Sequence, residues 1–374
     1  MISFIYGANI QLVSGSVLVL VNPFESKAYQ YKMQTQCQST ASDGIYSPTE
    51  LVTMMRDVGY DIVALTDHLQ VTPDPMVPDV VFVSGEEASG WELEPTVIML
   101  GISTPVTGST PQEKIDSCNE QGGFSFLDAP NSELGWGWTY HEILSFNNYT
   151  GIEIFNSVYS IIEEEEKGFA EDQVDYALSN GRRILLTGSS DYHGTYGEPL
   201  IGGYIVLNTD IDITTLTQTN VIDIMKSGNY YVAGRIYETD PYPPSILDLT
   251  TDGDDITILV DKPSTIEFIT KYGTISQINT GVTQATYRAS ITDMYVRVKV
   301  TYTNIGESYA WSNPIYVESP GVKTTNANVS GDCSIVSASY SLSNFGGSVS
   351  QFGFGSINTF LVVLEISVKT ASCF

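Results

Sequence analysis

Apolar positions in the first two thirds of the chain fall in short continuous runs, at residues 61–66, 80–83, 97–101, 124–127, 151–155 and 183–187. A strand covered on both faces is apolar at successive rather than alternate positions, so these runs read as buried strands. Amphipathic stretches with marked starts lie between them. Ser47-Pro48-Thr49-Glu50 and Thr110-Pro111-Gln112-Glu113 each place a hydroxyl at the N-cap, Pro at N1 and Glu at N3, the reciprocal capping pattern of a helix start. Strands alternating with helices predict an α/β domain, a sheet or barrel with crossover helices, over residues 29–238. A last helix ends at Met225-Lys226-Ser227 with Gly228 as its C′ residue, and Asp240-Pro241-Tyr242-Pro243-Pro244 marks a boundary. Beyond it the pattern turns all-β, with strands at 256–260, 265–269 and 294–300, where Val alternates, so a small β-domain is expected over 245–318.

Two flanks fit neither pattern. Segments 1–28 and 319–374 carry apolar runs at 16–21 and 359–368, and such strands must be covered by something. They either extend an edge of the chain's own β-domain or pair with neighbouring copies or another protein by strand addition. The second reading predicts a homo-oligomer or a place among other assembly proteins. Of the four cysteines, Cys333 and Cys373 lie in the C-terminal flank, where a bridge closing a loop of about 40 residues would contribute roughly 3 to 4 kcal/mol; a reduced pair is the alternative. Cys37 and Cys118 stand apart, and no CxxC pair indicates zinc or redox chemistry.

Charge narrows the partners. The 374 residues carry 16 Lys plus Arg against 44 Asp plus Glu, a net charge of -28, which disfavours nucleic acid and anionic membranes. No run reaches the roughly 20 apolar residues of a membrane span, and Met1-Ile2-Ser3-Phe4 lacks the basic start of a signal peptide. Few lysines, 23 tyrosines and abundant Thr, Ser and Gly suit a virion or extracellular assembly.

Five segments carry candidate chemistry, each after an apolar run or at a predicted strand end: Gln36-Cys37-Gln38 with Asp43, Thr66-Asp67-His68, Gly85-Glu86-Glu87, Leu127-Asp128-Ala129-Pro130, and Asp191-Tyr192-His193. Their order and spacing resemble the PHP (polymerase and histidinol phosphatase) family, whose members carry His-x-His, Asp-His, Glu, His-Pro and Asp-x-His at these points. The resemblance implies a distorted (β/α)7 barrel followed by a small β-sandwich, and a site at the strands' C-terminal ends for up to three metal ions; the flanking runs, outside that pattern, are expected to add β-strand extensions at both termini. The chain departs from the family at Gln36, Gln38 and Ala129, where histidines are expected. Carried over residue by residue, one metal position retains Asp43, His68 and His193, an adequate shell for a single zinc, manganese or iron ion. Glu87 and Asp191 belong to the two degenerate positions, and Asp67, Glu87 and Asp191 would be the catalytic acids of an active enzyme.

Without cations, Asp67, Glu87, Asp191 and Glu153 would crowd one cavity. Gln36 and Gln38 can relieve this by donating amide hydrogens to Glu87 and Asp191. His141 is placed at a helix start, the run 163–166 on a solvated helix face, and Trp136 and Trp138 either over the pocket or in ordinary packing. The expected function is a catalytically degenerate structural or recognition protein of a phage virion or tail. A metal-dependent phosphoesterase using a reduced site, and an extracellular surface or filament protein, are the alternatives.

Overall fold

A computed structural model describes residues 9–10, 18–89, 95–318, 340–342, 347–349 and 366–367. Cys333, Cys373, residues 16–17 of the first apolar run and all but 366–367 of the run at 359–368 lie outside them. In the flanks, β1 (Asn9–Ile10) pairs antiparallel with Ile366–Ser367, and Tyr340–Leu342 pairs with Gly347–Val349. Residues Leu20–Val317 form one compact unit, which β2 (Val19–Val21) adjoins.

The barrel is built from β3 (Tyr29–Gln34), β4 (Ile62–Leu65), β5 (Val81–Glu87), β6 (Val97–Leu100), β7 (Phe124–Leu127), β8 (Gly151–Asn156), β9 (Leu185–Ser189), β10 (Tyr204–Thr209) and β11 (Tyr230–Arg235). β3 to β5 are parallel, as are β7 to β9, and the side chains of β4, β7 and β8 are buried throughout. Crossover helices between successive strands imply parallel neighbours, but β6 runs antiparallel to both of its own. Only residues 88–96 separate it from β5, whereas a parallel crossover takes a dozen or more. β10 is antiparallel to β3 and β11. The ring closes where Gln38 N donates to Tyr192 O at 3.0 Å and Thr35 Oγ1 to Gly188 O at 2.9 Å.

Helices α1 (Pro48–Asp57) and α2 (Pro111–Glu120) start on the two capping boxes read from the sequence, Ser47 with Glu50 and Thr110 with Glu113. A good N-cap is worth about 1 kcal/mol. The remaining helices are α3 (Tyr140–Ser145), α4 (Tyr159–Ile162), α5 (Glu171–Ser179) and α6 (Gln218–Ser227), the last ending on Gly228 at φ 78. That left-handed angle costs glycine nothing.

Six further strands follow: β12 (Ile246–Asp252), β13 (Asp255–Thr270), β14 (Thr274–Arg288), β15 (Tyr295–Thr303), β16 (Glu307–Ser312) and β17 (Ile315–Glu318). β13 changes partner along its length. Its first half pairs with β12 and its second with β15, with bulges where it turns, so the β13–β14 hairpin folds over itself. Phe268 stacks on Tyr287 at 5.3 Å inside the fold, and Gln277 Nε2 reaches Thr286 O at 2.9 Å at its rim. The result is a mixed α/β barrel followed by a β-sandwich. The two share one sheet, because β16 pairs with β11 along Tyr231 to Arg235. β2 pairs with β17, so residues 19–21 extend an edge of the chain's own β-segment.

A buried ion pair fastens α5 to β15. Arg297 Nε and Nη2 donate to the two oxygens of Asp175 at 2.7 and 2.6 Å, Tyr295 OH donates to the same carboxylate at 2.8 Å, and the Arg297 side chain is 1% exposed. Glu171 alongside accepts from Trp311 Nε1 at 2.6 Å and Lys299 Nζ at 3.1 Å. Breaking such a pair costs more than replacing it. Asp175→Ala, which leaves Arg297 buried without its bidentate partner, is expected to lower unfolding free energy by about 3 to 5 kcal/mol. Asp175→Leu with Arg297→Met should recover most of that loss in urea melts; an Asp175→Ala loss below about 1 kcal/mol would show that the pair is not what docks the two elements.

Candidate metal centre and carboxylate cluster

The strands' C-terminal ends converge on one site. Beyond the end of β3, Asp43 sits on the turn after Gln38; Gly44 lies so close to Gln38 O that a Cβ there would fall 1.9 Å from it. His68 follows β4, and His193 follows β9 in a loop clamped by Glu198, whose Oε1 accepts from His193 N at 2.6 Å and whose Oε2 accepts from Tyr196 N at 2.8 Å.

Asp43, His68 and His193 can each offer a ligand atom within 4.8 Å of the others. Both imidazoles point Nε2 at Asp43 Oδ2, from 3.7 Å for His68 and 3.4 Å for His193. Their other nitrogens are tied to backbone carbonyls, His68 Nδ1 to Ser89 O at 3.0 Å and His193 Nδ1 to Asp191 O at 2.8 Å. A carbonyl holds the proton on Nδ1 in the neutral ring and leaves the Nε2 lone pair for a cation. The donor set therefore fits one divalent ion. With protons in its place, burial would lower both imidazoles, but the bond to Asp43 and the charge of Glu87 raise His68 to about 9, and Asp191 with Asp43 raises His193 to about 10. Burial works to raise Asp43, yet its two histidine partners hold it far below the usual carboxylate range.

The positions of the missing histidines are filled by amide bonds. Gln36 Nε2 donates to Asp191 Oδ1 at 2.9 Å and lies 3.4 Å from Glu87 Oε2, while Gln38 Nε2 donates to Glu87 Oε2 at 2.8 Å. Gln38 Oε1 is buried with no hydrogen-bond partner among the described residues. Gln34, one alternation earlier, accepts from Ser190 N at 3.3 Å and donates to Tyr60 OH at 3.2 Å. The signal for all three was the period of two along β3 and its continuation.

Deeper in, Asp128, Glu153 and Asp191 lie together, 1%, 1% and 4% exposed. Two such carboxylates at 4 Å would repel by about 4 kcal/mol at an effective dielectric of 20. Neutral donors and protons offset this. Asn156 Nδ2 is shared among Glu153, Asp191 and Asp128 at 3.0, 3.4 and 3.5 Å, and Ser189 Oγ and Ala129 N donate to Glu153 at 2.6 and 3.1 Å. Burial raises Glu153 and Asp191 to about 7 each, and burial with the Glu153 charge drives Asp128 well above its ordinary value. Asp128, Asn156 and Glu198 were not assigned roles from the sequence. Asp191 and Ala129 both adopt left-handed backbone, at φ 50 and 39, a strained state for residues with a Cβ.

Other expectations meet different surroundings. Asp67 does not join these acids: its carboxylate accepts from Ser39 N at 2.7 Å, Ser39 Oγ, Ser42 Oγ at 2.9 Å and Thr72 Oγ1, and so knots the Asp43 turn to β4. His141 is exposed on α3 beside Ser145. Trp138 is packed in the core with Nε1 on Thr96 O at 3.1 Å, whereas Trp136 stands edge-on to Tyr159 against Ala129. Glu163 accepts from Ser132 Oγ at 2.6 Å and Glu133 N at 3.0 Å rather than lying on a solvated helix. Cys37 turns away from the site, its Sγ 3.2 Å from Ala64 O.

No protein-family model matches the chain, and no curated protein matches it. Among solved structures it is similar to a two-domain protein containing a predicted PHP-like metal-dependent phosphoesterase from Bacteroides vulgatus, at 14% identity and TM-score 0.45, over 83% of this chain and 100% of that one. It is also similar to a lesion-specific endonuclease from Pyrococcus furiosus, at 12% identity and TM-score 0.38 over 54% and 56% of the two chains. An amidohydrolase from Chromobacterium violaceum matches at 14% identity and TM-score 0.32, over 43% and 87%. This chain is PHP-like in the order of its own motifs and in their convergence at one end of the barrel.

The amides' contribution depends on pH. A carboxylate whose folded pKa is raised costs nothing below its unfolded pKa, and its penalty grows as pH rises to the folded value. Donors to Asp191 therefore matter most above about 7. In chelator-treated protein, Gln36→Ala is expected to cost about 1 to 3 kcal/mol at pH 8 and distinctly less at pH 5, where the proton takes over the amide's part. Equal losses at both values would mean that the amide does not compensate charge.

Proposed function

We propose that this chain is a PHP-fold protein whose hydrolytic centre is reduced to one cation position, and that it serves as a structural or recognition component of a larger assembly. The contacts that carry this reading are those of Gln36 with Asp191 and Gln38 with Glu87, at 2.9 and 2.8 Å. An amide is a poor transition-metal ligand beside imidazole, and here its N–H groups face the carboxylates that would otherwise meet cations. Ala129 supplies no ligand at all. A divalent ion at Asp43, His68 and His193 would supply Lewis acidity and acidify a bound water. The chain's own groups hold the two imidazole lone pairs in place through Ser89 O and Asp191 O. A phage particle or an extracellular array is the proposed setting, supported by the acidic, tyrosine-rich composition.

A second reading, a phosphoesterase working with one ion, is favoured by the convergence of both Nε2 atoms on Asp43. Metal content and turnover separate the two. After dialysis against manganese or zinc, elemental analysis should find at most one ion per chain, lost in His193→Ala; two or three would overturn the reduced-centre reading. Hydrolysis of nitrophenyl phosphate mono- and diesters should be negligible and should appear only when Gln36→His, Gln38→His and Ala129→His are combined. Robust turnover by the unmodified chain, abolished by His193→Ala, would establish the phosphoesterase.

A further inference from the structure

Three apolar side chains border the cation position and face solvent. Ile45, Leu69 and Tyr196 are 51%, 53% and 47% exposed, and each follows closely on one member of the triad, Asp43, His68 and His193 in turn. Ile45 N donates to His193 O at 3.1 Å, and the Ile45 side chain lies against Gly194, where an added Cβ would fall 2.8 Å from Ile45 Cγ1. Leu69 N donates to Glu87 O at 3.0 Å, and Gln70 Nε2 beyond it bonds Ala41 O on the Asp43 turn. The Tyr196 ring stands edge-on to the His193 imidazole, with 5.3 Å between centroids.

Leu69 is held there at a conformational cost. Its backbone is left-handed, at φ 54, an outlier for a bulky residue. Such conformations persist where the surroundings over-determine them, and they cluster at ligand sites. Leaving large apolar groups in water beside a polar centre is a second cost, which burial against a ligand offsets.

The polar half sets the head group. Nε2 of His68 and of His193 converge on Asp43 Oδ2, while Glu87 lies 3.6 Å from His68 Nδ1 and Asp191 3.9 Å from His193 Nδ1. A divalent ion on Asp43 leaves one net positive charge, which a single carboxylate matches. A phosphate dianion would bring excess negative charge beside Glu87 and Asp191.

We infer that this rim is the apolar half of a ligand site whose polar half is the cation position, and that the site takes a small monocarboxylate on an aryl or branched alkyl body, with the carboxylate at the ion and the body against Ile45, Leu69 and Tyr196. The inference rests on the one-ion reading of the centre.

The full chain is loaded with zinc, its zinc content is measured, and it is titrated calorimetrically with phenylacetate, acetate, benzyl alcohol and phenyl phosphate. Saturable binding of phenylacetate is expected, about tenfold or more tighter than that of acetate, with benzyl alcohol and phenyl phosphate both weaker than phenylacetate. Ile45→Ser with Leu69→Asn should weaken phenylacetate by about tenfold while acetate and zinc affinities change by less than about twofold. Asparagine tolerates left-handed backbone, so Leu69→Asn alone should keep or raise the melting temperature and still weaken phenylacetate; it carries the comparison if the double variant does not fold. A chain that binds no ion would overturn both the one-ion reading and this inference. With one ion bound, absence of saturable phenylacetate binding, equal binding by the zinc-free chain, phenyl phosphate bound as tightly or more tightly, or phenylacetate affinity unchanged in Leu69→Asn would each overturn this inference alone.

Discussion

Burying several carboxylates at one end of a barrel sets a condition that the surrounding residues must satisfy, since each ionised pair at contact range repels by several kcal/mol. Metal ions meet that condition in a multi-ion hydrolase; in this chain side-chain amides and hydroxyls lie within hydrogen-bond reach of the acids. Gln36 and Gln38 cover Asp191 and Glu87, Asn156 sits among three acids, and burial with the Glu153 charge raises the Asp128 carboxyl well above its ordinary value. The histidines stand apart from this solution. They and Asp43 form a triad whose protons a cation can displace.

The neutral network also explains why Glu198 and Asp67 matter although neither faces the acids. Each gathers the backbone or hydroxyl donors of one loop, the 193–198 loop and the 39–43 turn. A carboxylate that accepts several such bonds organises a loop much as a bound ion would. The result is a pair of loops that hold His193 and Asp43 at fixed positions.

Much of this was legible in the sequence because it depends on local rules. The buried runs became β4, β7 and β8, the Ser47 and Thr110 capping boxes formed, and the wide motif spacing brought Asp43, His68 and His193 together. What escaped depends on tertiary geometry. β6 reads as one more buried strand, and only the length of its connection to β5 indicates that it turns back. Asp128 looks like a strand-end turn residue until β8 places Glu153 beside it. Asp67 carries a family motif, but the serines of a turn remote in sequence decide what its carboxylate does.

The pairing of β16 with β11 has a mechanical consequence. Hydrogen bonds run from the second half of β13 through β15, β16, β11 and β10 to β3, the strand that leads into Gln36 and Gln38. A pendant domain joined by a linker could swing freely, but a domain continuous with the sheet transmits twist and tension. A load applied to the sandwich would therefore reach the barrel mouth as a change in the pitch of β3, making the β-segment a lever arm fixed to the site rather than a handle hung beside it.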